Sequence, residues 1–477
     1  MKSDEQLKQQ ELKQQELKQQ HHLEGNLRRF VLFRLLYSAR FYYPVFTILF
    51  LDYGLSLEQF GILNLVWALT IVVAEVPSGA LADIVGRKRL LVFAVILMVI
   101  EMTLLVLVPI GASSVLFAVF LINRVFSGLS EAAASGADEA LAYDSLKALG
   151  REDEWAHLLE KSTRVVSAGF FVAMISGAFA YDANLVNGLL AWFSPNASLA
   201  PEMVIRLPIV LTLCTSIILL FITLGLHDID RVEIAQRRAA ALASGLGVSA
   251  IAESFLQIVK AGRWTLGHQF VLFVIIAALS IDSVARSFVI LASEYYRLID
   301  IPVSWFGFIG AGMSLIGIVL ARLSRVMVTN LSPLMNFMCL SLVLLVSLLG
   351  IMQMVPYYGV VFAIGAFAML GMVQFQASYY INRAVDSKIR ATVLSFKGLA
   401  LNLGLGVASL LYTALVSALR AGSAPTVLGD ELQQQVFVSS LQAFPLYFLG
   451  LFLVTVFLAR WLFASRAVFF VRPGKPR

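Results

Sequence analysis

The sequence predicts an all-α integral membrane protein of twelve spanning helices, arranged as two six-helix halves. Three observations carry this expectation. Of the 477 residues, 59% are hydrophobic and only 14% charged, against about 25% charged in a soluble domain. Apolar runs of about 20 residues, enough to cross a hydrocarbon core of about 30 Å as helix, recur along the whole chain. The basic residues gather on alternate connections. A chain so poor in charge cannot cover its surface in water, which excludes a soluble enzyme and a disordered protein. A β-barrel would need alternating segments of about ten residues, and these runs are continuous. Helix follows, because lipid leaves every backbone polar group to be satisfied internally.

The spans lie near 30–50, 58–77, 89–109, 116–140, 163–182, 204–226, 268–291, 304–323, 334–354, 359–379, 392–417 and 442–463. With a cytoplasmic N-terminus, 29 of the 36 Lys and Arg fall on inner segments and only Arg206, Arg297 and Arg420 on outer loops. This is the positive-inside pattern. It places both termini in the cytoplasm, as expected of a bacterial inner (plasma) membrane protein. It also assigns the +6 net charge to anionic lipid at the bilayer surface, not to nucleic acid. Residues 1–29 carry the repeat Glu-Leu-Lys-Gln-Gln at 11–15 and 16–20 and read as a polar, low-complexity, disordered or surface-lying cytoplasmic tail. The first half then occupies 30–226, a cytoplasmic linker 227–267, the second half 268–465 and a short tail 466–477. Within the linker, Ile251, Phe255 and Ile258 recur at helical spacing and suggest a linker helix with an amphipathic face. Cys214 and Cys339 sit inside apolar runs, with no disulfide or metal spacing. No helix-pairing motif argues for more than a monomer.

Charges inside spans cost roughly 2.5–3.5 kcal/mol each at a helix centre and mark functional sites by default. Arg40 lies near the middle of span 1. Asp282 and Arg286, four residues apart in span 7, share a face. In span 4, Arg124, Glu131 and Asp138 follow one another at intervals of seven, drifting only about 20° per heptad. That row suits the wall of an aqueous path, and the alternative is a structural ion ladder pairing onto neighbouring helices. Glu75 lies near a span end, and Glu101 has no evident partner.

Residues 75–91 contain Gly79-x-x-x-Asp83-x-x-Gly86-Arg87-Lys88 in a short inner loop after span 2. This run resembles the signature between helices two and three of major facilitator superfamily (MFS) transporters, with Ile84 where that family usually has a basic residue. Arg124-x-x-x-Gly128 resembles the family's second motif, whose arginine is tied to proton coupling. Gly136–Leu146 and Asn382–Ser395 also resemble bacterial members. The resemblance implies that Asp83 caps the start of helix eleven, that Arg87 reaches Asp144, and that these contacts close the cytoplasmic side. The two glycines would permit close approach and a tight turn. It further implies that helices one, four, seven and ten line a central cavity. Arg40, the span-4 row and the Asp282–Arg286 pair fall on three of these; Gln374, Gln376 and Tyr379 supply polar groups on the fourth.

The expectation is therefore a secondary active transporter moving a small organic solute by alternating access, coupled to protons through Glu131 or Asp138 with Arg124 as modulator. Three arginines facing three acids give the cavity no net sign, which suits a sugar or glycoside, a zwitterion or an amphiphile. The drug-antiporter Gly-Pro signature is missing from span 5, which has Gly169 and Gly177 but no proline. A non-transporting receptor or assembly partner with the same fold is the rival reading. An integral enzyme is disfavoured by the lack of a His cluster, a phosphate-cradling loop or a Ser-His-Asp arrangement, and no cofactor is expected.

Overall fold

The structure, a computed structural model, describes residues 2–228, 246–423 and 429–463. All regular elements among these residues are helical. Among the described residues eleven helices are long and apolar enough to cross a bilayer, and the first span completes the twelve in two pieces, Lys2–Ser38 and Phe46–Asp52. Large apolar side chains such as Phe221 and Phe457 stand about 70% and 67% exposed on the outside of the bundle, a surface that only acyl chains would cover well.

Span 1 breaks because Pro44 cannot donate to the ladder and its ring crowds the preceding turn. The chain unwinds over 39–42 and resumes through a short 3-10 turn, Tyr43–Val45. Neighbouring spans satisfy the freed groups, as the membrane interior requires. The Phe41 amide donates to Thr212 Oγ1 of span 6 at 3.1 Å. Beyond the break, the amides of Thr47 and Ile48 donate to Ser293 Oγ of span 7 at 2.9 and 3.2 Å.

Span 4 is also divided, into Ser114–Ala134 and Ala137–Ala148, by Gly136 in the left-handed region at φ 74°. Gly86, at φ 100°, makes the turn between spans 2 and 3 (Leu57–Val85 and Arg87–Leu107). Span 2 opens with a capping box in which Ser56 and Gln59 satisfy each other's backbone amides.

The remaining spans are Trp155–Tyr181, Leu207–Leu224, Gln269–Leu298, Val303–Asn330, Pro333–Ile351, Val360–Ala384, Ser387–Ala421 and Asp430–Phe463. The two halves meet along span 2 with span 11, span 5 with span 8, and span 1 with span 7. Small residues make the closest approaches possible. A Cβ on Gly307 of span 8 would overlap the backbone of Met174 and Ile175 in span 5, and one on Gly177 would overlap the Phe41 carbonyl in the unwound part of span 1.

The N-terminal reading needs correction. Residues 2–29 continue the helix of span 1 without interruption. Asn26 is fully buried and donates to Ser145 Oγ at 3.1 Å and to the His227 carbonyl at 2.8 Å. The tail thus docks its last turns on the first half instead of leaving the bundle. The linker helix, Leu246–Gly267, lies across spans 2 and 11, with Gly262 against Phe396. Phe255, Leu256 and Val259 remain exposed on it. Residues 229–245, the side chain of Ile251 and the tail 466–477 lie outside the described residues. A short helix not expected from the sequence, Ala183–Phe193, follows span 5.

Because Gly177 abuts a backbone carbonyl that cannot swing away, Gly177→Ala should destabilise the protein by about 1–3 kcal/mol through overpacking. A lowered unfolding midpoint in detergent would show it. Gly188→Ala, with open space around the added methyl, should leave that midpoint unchanged.

Candidate transport cavity

A cavity of about 310 Å³ lies between the halves. The first half contributes Arg40, Tyr43, Asn64, Trp67, Arg124, Ser127 and Glu131, and the second Arg286, Val289, Ile290, Phe367 and Leu405. Its charges are arranged by depth and by pairing.

Arg40 sits in the unwound part of span 1 and donates to Glu101 Oε1 of span 3 at 2.7 Å. The two side chains are only 4% and 0% exposed. Glu101 therefore has a partner that its place in the sequence did not reveal, because the unwinding at 39–42 aims Arg40 across the half. Arg124 is equally buried, at 4%. It stacks on aromatic faces, with Cζ 5.2 Å from the Phe46 ring centroid and 4.9 Å from that of Phe50. Its Nε has no hydrogen-bond partner. Glu131, two turns further along span 4, is exposed.

On the opposite wall Asp282 is fully buried. It accepts from Arg286 at 2.8 Å and from Gln374 of span 10 at 2.6 Å, while Arg286 also donates to Asn402 of span 11 at 3.1 Å. Lys397, counted with the inner loops in the sequence, is instead buried in span 11. It donates to Ser378 Oγ at 2.9 Å and lies within electrostatic reach of Asp282.

Three expected members stand elsewhere. The break at Gly136 interrupts the span-4 row, so Asp138 faces span 1, with Arg34 Nε 3.9 Å away, and Glu139 pairs with the same arginine at 2.9 Å. Gln376 is buried between spans 8 and 10 with Nε2 3.9 Å from Met327 Sδ. Tyr379 accepts from Arg383 at 2.9 Å near the end of span 10. The absence of net sign read from the sequence is corrected accordingly. Asp138 leaves the set, Glu101 and Lys397 enter it, and positive charge is in excess.

Of the loop motif, Gly86 makes its turn, and Arg87 binds both Asp144 and the Ala140 carbonyl, the latter at 2.8 Å. These contacts join spans 3 and 4 within one half, so they do not themselves hold the halves together. The Lys88 amide donates to Asp228 at 2.9 Å. Gly79 is exposed, with nothing near enough to meet a Cβ, so the close approach expected there is not made. The side chain of Asp83 lies outside the described residues.

The ion pairs that cross between halves, among the described residues, all lie on the face opposite the N-terminus. Asp52, ending span 1, accepts from Arg297 of span 7 and from Tyr181 of span 5, both at 2.7 Å. Arg297 also pairs with Glu294 at 2.5 Å. Glu58, beginning span 2, takes a two-pronged contact from Arg420 of span 11 at 2.5 and 3.2 Å. Sequence reasoning had not singled out Asp52, Glu58 or Glu294. The available signal was the pair of exceptions to the positive-inside bias, Arg297 and Arg420. Ionic contacts thus tie the halves together at this face, while Glu131, which lines the cavity, is exposed.

The sequence profile of the Major Facilitator Superfamily matches residues 30–409. The chain belongs to the Major Facilitator Superfamily. None of the curated proteins compared with it matches in sequence. Solved structures share the fold. A bacterial homologue of the human lysosomal transporter Spinster, in an inward-facing and unoccupied conformation, superposes with a TM-score of 0.64 at 16% identity, covering 94% of this chain and 98% of that one. A D-xylose-proton symporter gives 0.61 at 12% identity, covering 96% and 100%. A point mutant of the nucleoside transporter NupG gives 0.61 at 14% identity, covering 91% and 99%. The protein is accordingly a multi-pass membrane protein with the twelve-helix fold of this transporter family.

Breaking a buried ion pair from one side costs about 3–5 kcal/mol, because the remaining charge is stranded. Arg40→Met should therefore unfold the protein at markedly lower temperature, and the double variant Arg40→Met with Glu101→Leu should recover most of the loss. Melting curves of the three proteins in one detergent would decide it.

Proposed function

We propose that this protein is a secondary active transporter that carries a small organic solute by alternating access, as a monomer in the bacterial inner membrane, with the N-terminal face cytoplasmic. The observation that carries the reading is the asymmetric closure of a cavity between two halves. Charged groups line it, cross-half ion pairs seal one end, and Glu131 is exposed at the other. Rocking one half against the other about a midplane site is how such folds alternate access. The basic residues of the inner segments support the orientation. The transporters that share this fold, a proton symporter among them, support solute carriage.

Glu131 is the coupling carboxylate in this reading. It is the cavity's one acid without an arginine partner among the described residues, and it stands where water can deliver or remove a proton. Asp138 is set aside because it lies outside the cavity, against Arg34. A receptor that merely keeps the fold would have no need of two accessible states, and that difference is measurable.

Partly exposed ion pairs contribute about 1 kcal/mol or less. Asp52→Asn combined with Glu58→Gln should therefore shift the two-state population toward opening at the sealed face by up to about thirty-fold, since the two pairs together contribute about 2 kcal/mol or less. In a background lacking Cys214 and Cys339, labelling of the Leu55→Cys variant should rise while labelling of the Ser135→Cys variant falls. Unchanged labelling of both variants would remove the support for alternation. For coupling, Glu131→Gln in proteoliposomes should abolish accumulation driven by an imposed pH gradient while leaving solute exchange intact. Full gradient-driven accumulation would refute the assignment of Glu131.

A further inference from the structure

The charges around the cavity do not cancel where they are buried. Arg40 is neutralised by Glu101 at 2.7 Å, and Arg286 by Asp282 at 2.7 Å. Arg124 has neither a hydrogen bond nor an ion pair among the described residues, and its Nε is buried without a partner. An unpaired buried charge is expensive unless something arrives to meet it. The faces of Phe46 and Phe50 hold the guanidinium, and cation–π contact offsets part of that cost. It leaves the in-plane donors of the fork unused. Glu101 lies within electrostatic reach of Arg124, but its hydrogen bond goes to Arg40, and Glu131 on the same helix is exposed. The unmet demand in this cavity is for an anion.

The walls narrow the choice further. Around Arg124 they are aromatic and aliphatic, with Phe46, Trp67, Phe170 and Met174 among them. The amide nitrogen of Asn64 is engaged by its own helix, at the Phe60 carbonyl. The other polar groups that line the cavity, among them Tyr43, Ser127 and Glu131, are few beside its apolar side chains, and a solute with many hydroxyls would leave some of them unsatisfied. A cavity of about 310 Å³ stands at the small end of ligand sites, which run to about 1,000 Å³. One spare guanidinium, with planar paired donors, matches one carboxylate bidentately.

Resting on the transporter reading above, and naming the substrate class of the same cavity, we propose that Arg124 is the anchor for a small organic monocarboxylate with an apolar or aromatic body. The carboxylate meets the free edge of the guanidinium, and the body lies among Trp67, Phe170 and Met174.

The test uses the full-length protein in lipid nanodiscs and three matched probes: 3-phenylpropionate, 3-phenylpropanamide and 3-phenylpropylammonium. Binding is read by the fluorescence of Trp67, with Trp67→Phe identifying its share of the signal, and independently by calorimetry. Hydrogen bonds to a charged partner contribute about 1.5–3 kcal/mol, so the carboxylate should bind at least roughly ten-fold tighter than the amide or the ammonium. Arg124→Gln should bring the three probes within about three-fold of one another, and Arg124→Lys should keep part of the preference, since it retains the charge without the fork. Equal binding of carboxylate and amide by the unmodified protein overturns the assignment, as does preference for the ammonium, binding of none of the three, or an Arg124→Gln protein that still prefers the carboxylate. The labelling experiment with Leu55→Cys and Ser135→Cys needs no ligand. Alternation without carboxylate preference therefore sinks this proposal alone, and carboxylate preference without alternation sinks the transporter reading alone.

Discussion

The ion pair between Arg40 and Glu101 is the interaction around which the cavity is organised. Glu101 lies in the middle of span 3, fully withdrawn from solvent, where a lone carboxylate would be costly. Only a cation delivered from outside span 3 can relieve it. Span 1 delivers one by abandoning its helix at residues 39–42, ahead of Pro44, so that Arg40 reaches sideways. Two consequences follow. The exposed backbone at the break has to be satisfied by spans 6 and 7, which knits the break into the first half and against the second. And because the Glu101 hydrogen bond is taken by Arg40, Arg124 feels that carboxylate only at a distance and packs on aromatic faces, leaving a positive group in the cavity with its hydrogen-bonding edge unused.

The second wall repeats the logic with different outcomes. Asp282 gathers donors from its own helix and from span 10, and Lys397 adds a further positive charge from span 11. Each buried acid is thus held by at least one cation, while the surplus is cationic. Glu131 is not among these buried acids: it is exposed, and an exposed carboxylate needs no cation to offset desolvation. A carboxylate in that position can take up or release a proton without dismantling an ion pair, which is the property a coupling group requires.

Closure depends on a different class of contact. The ion pairs joining the halves sit at one face, at the ends of spans 1, 2, 7 and 11, and all retain some exposure. Such pairs contribute modestly and break at modest cost, as the proposed alternation would require of them. The glycine-mediated approaches of span 5 to span 8 and to the break in span 1 are of another kind. They depend on backbone meeting backbone at distances that tolerate no added atom: Gly307 of span 8 against span 5 joins the two halves, and Gly177 against Phe41 fixes the break in span 1 within the first half.

How much of this was readable beforehand divides along a physical line. Span number and the charges within spans, Arg40, Arg124, Glu131, Asp282 and Arg286, were legible, because apolar run length and the rarity of charge within it are properties of local sequence. Partners were not. Nothing in the spacing around residue 101 says that a residue sixty positions earlier will turn toward it. The heptad reading of Arg124, Glu131 and Asp138 assumed an unbroken helix and failed at Gly136, and Gln376 and Tyr379 fell on span 10 but off its cavity face. Lys397, five residues inside the expected start of span 11, was counted with the inner basic residues, and only its neighbours show it buried. By itself, then, the sequence determined that the chain crosses the bilayer twelve times and which costly groups it carries inside, since transfer free energy is set residue by residue. The tertiary structure alone decided which of those groups neutralise one another and which is left over, since that depends on distances between helices far apart in the chain.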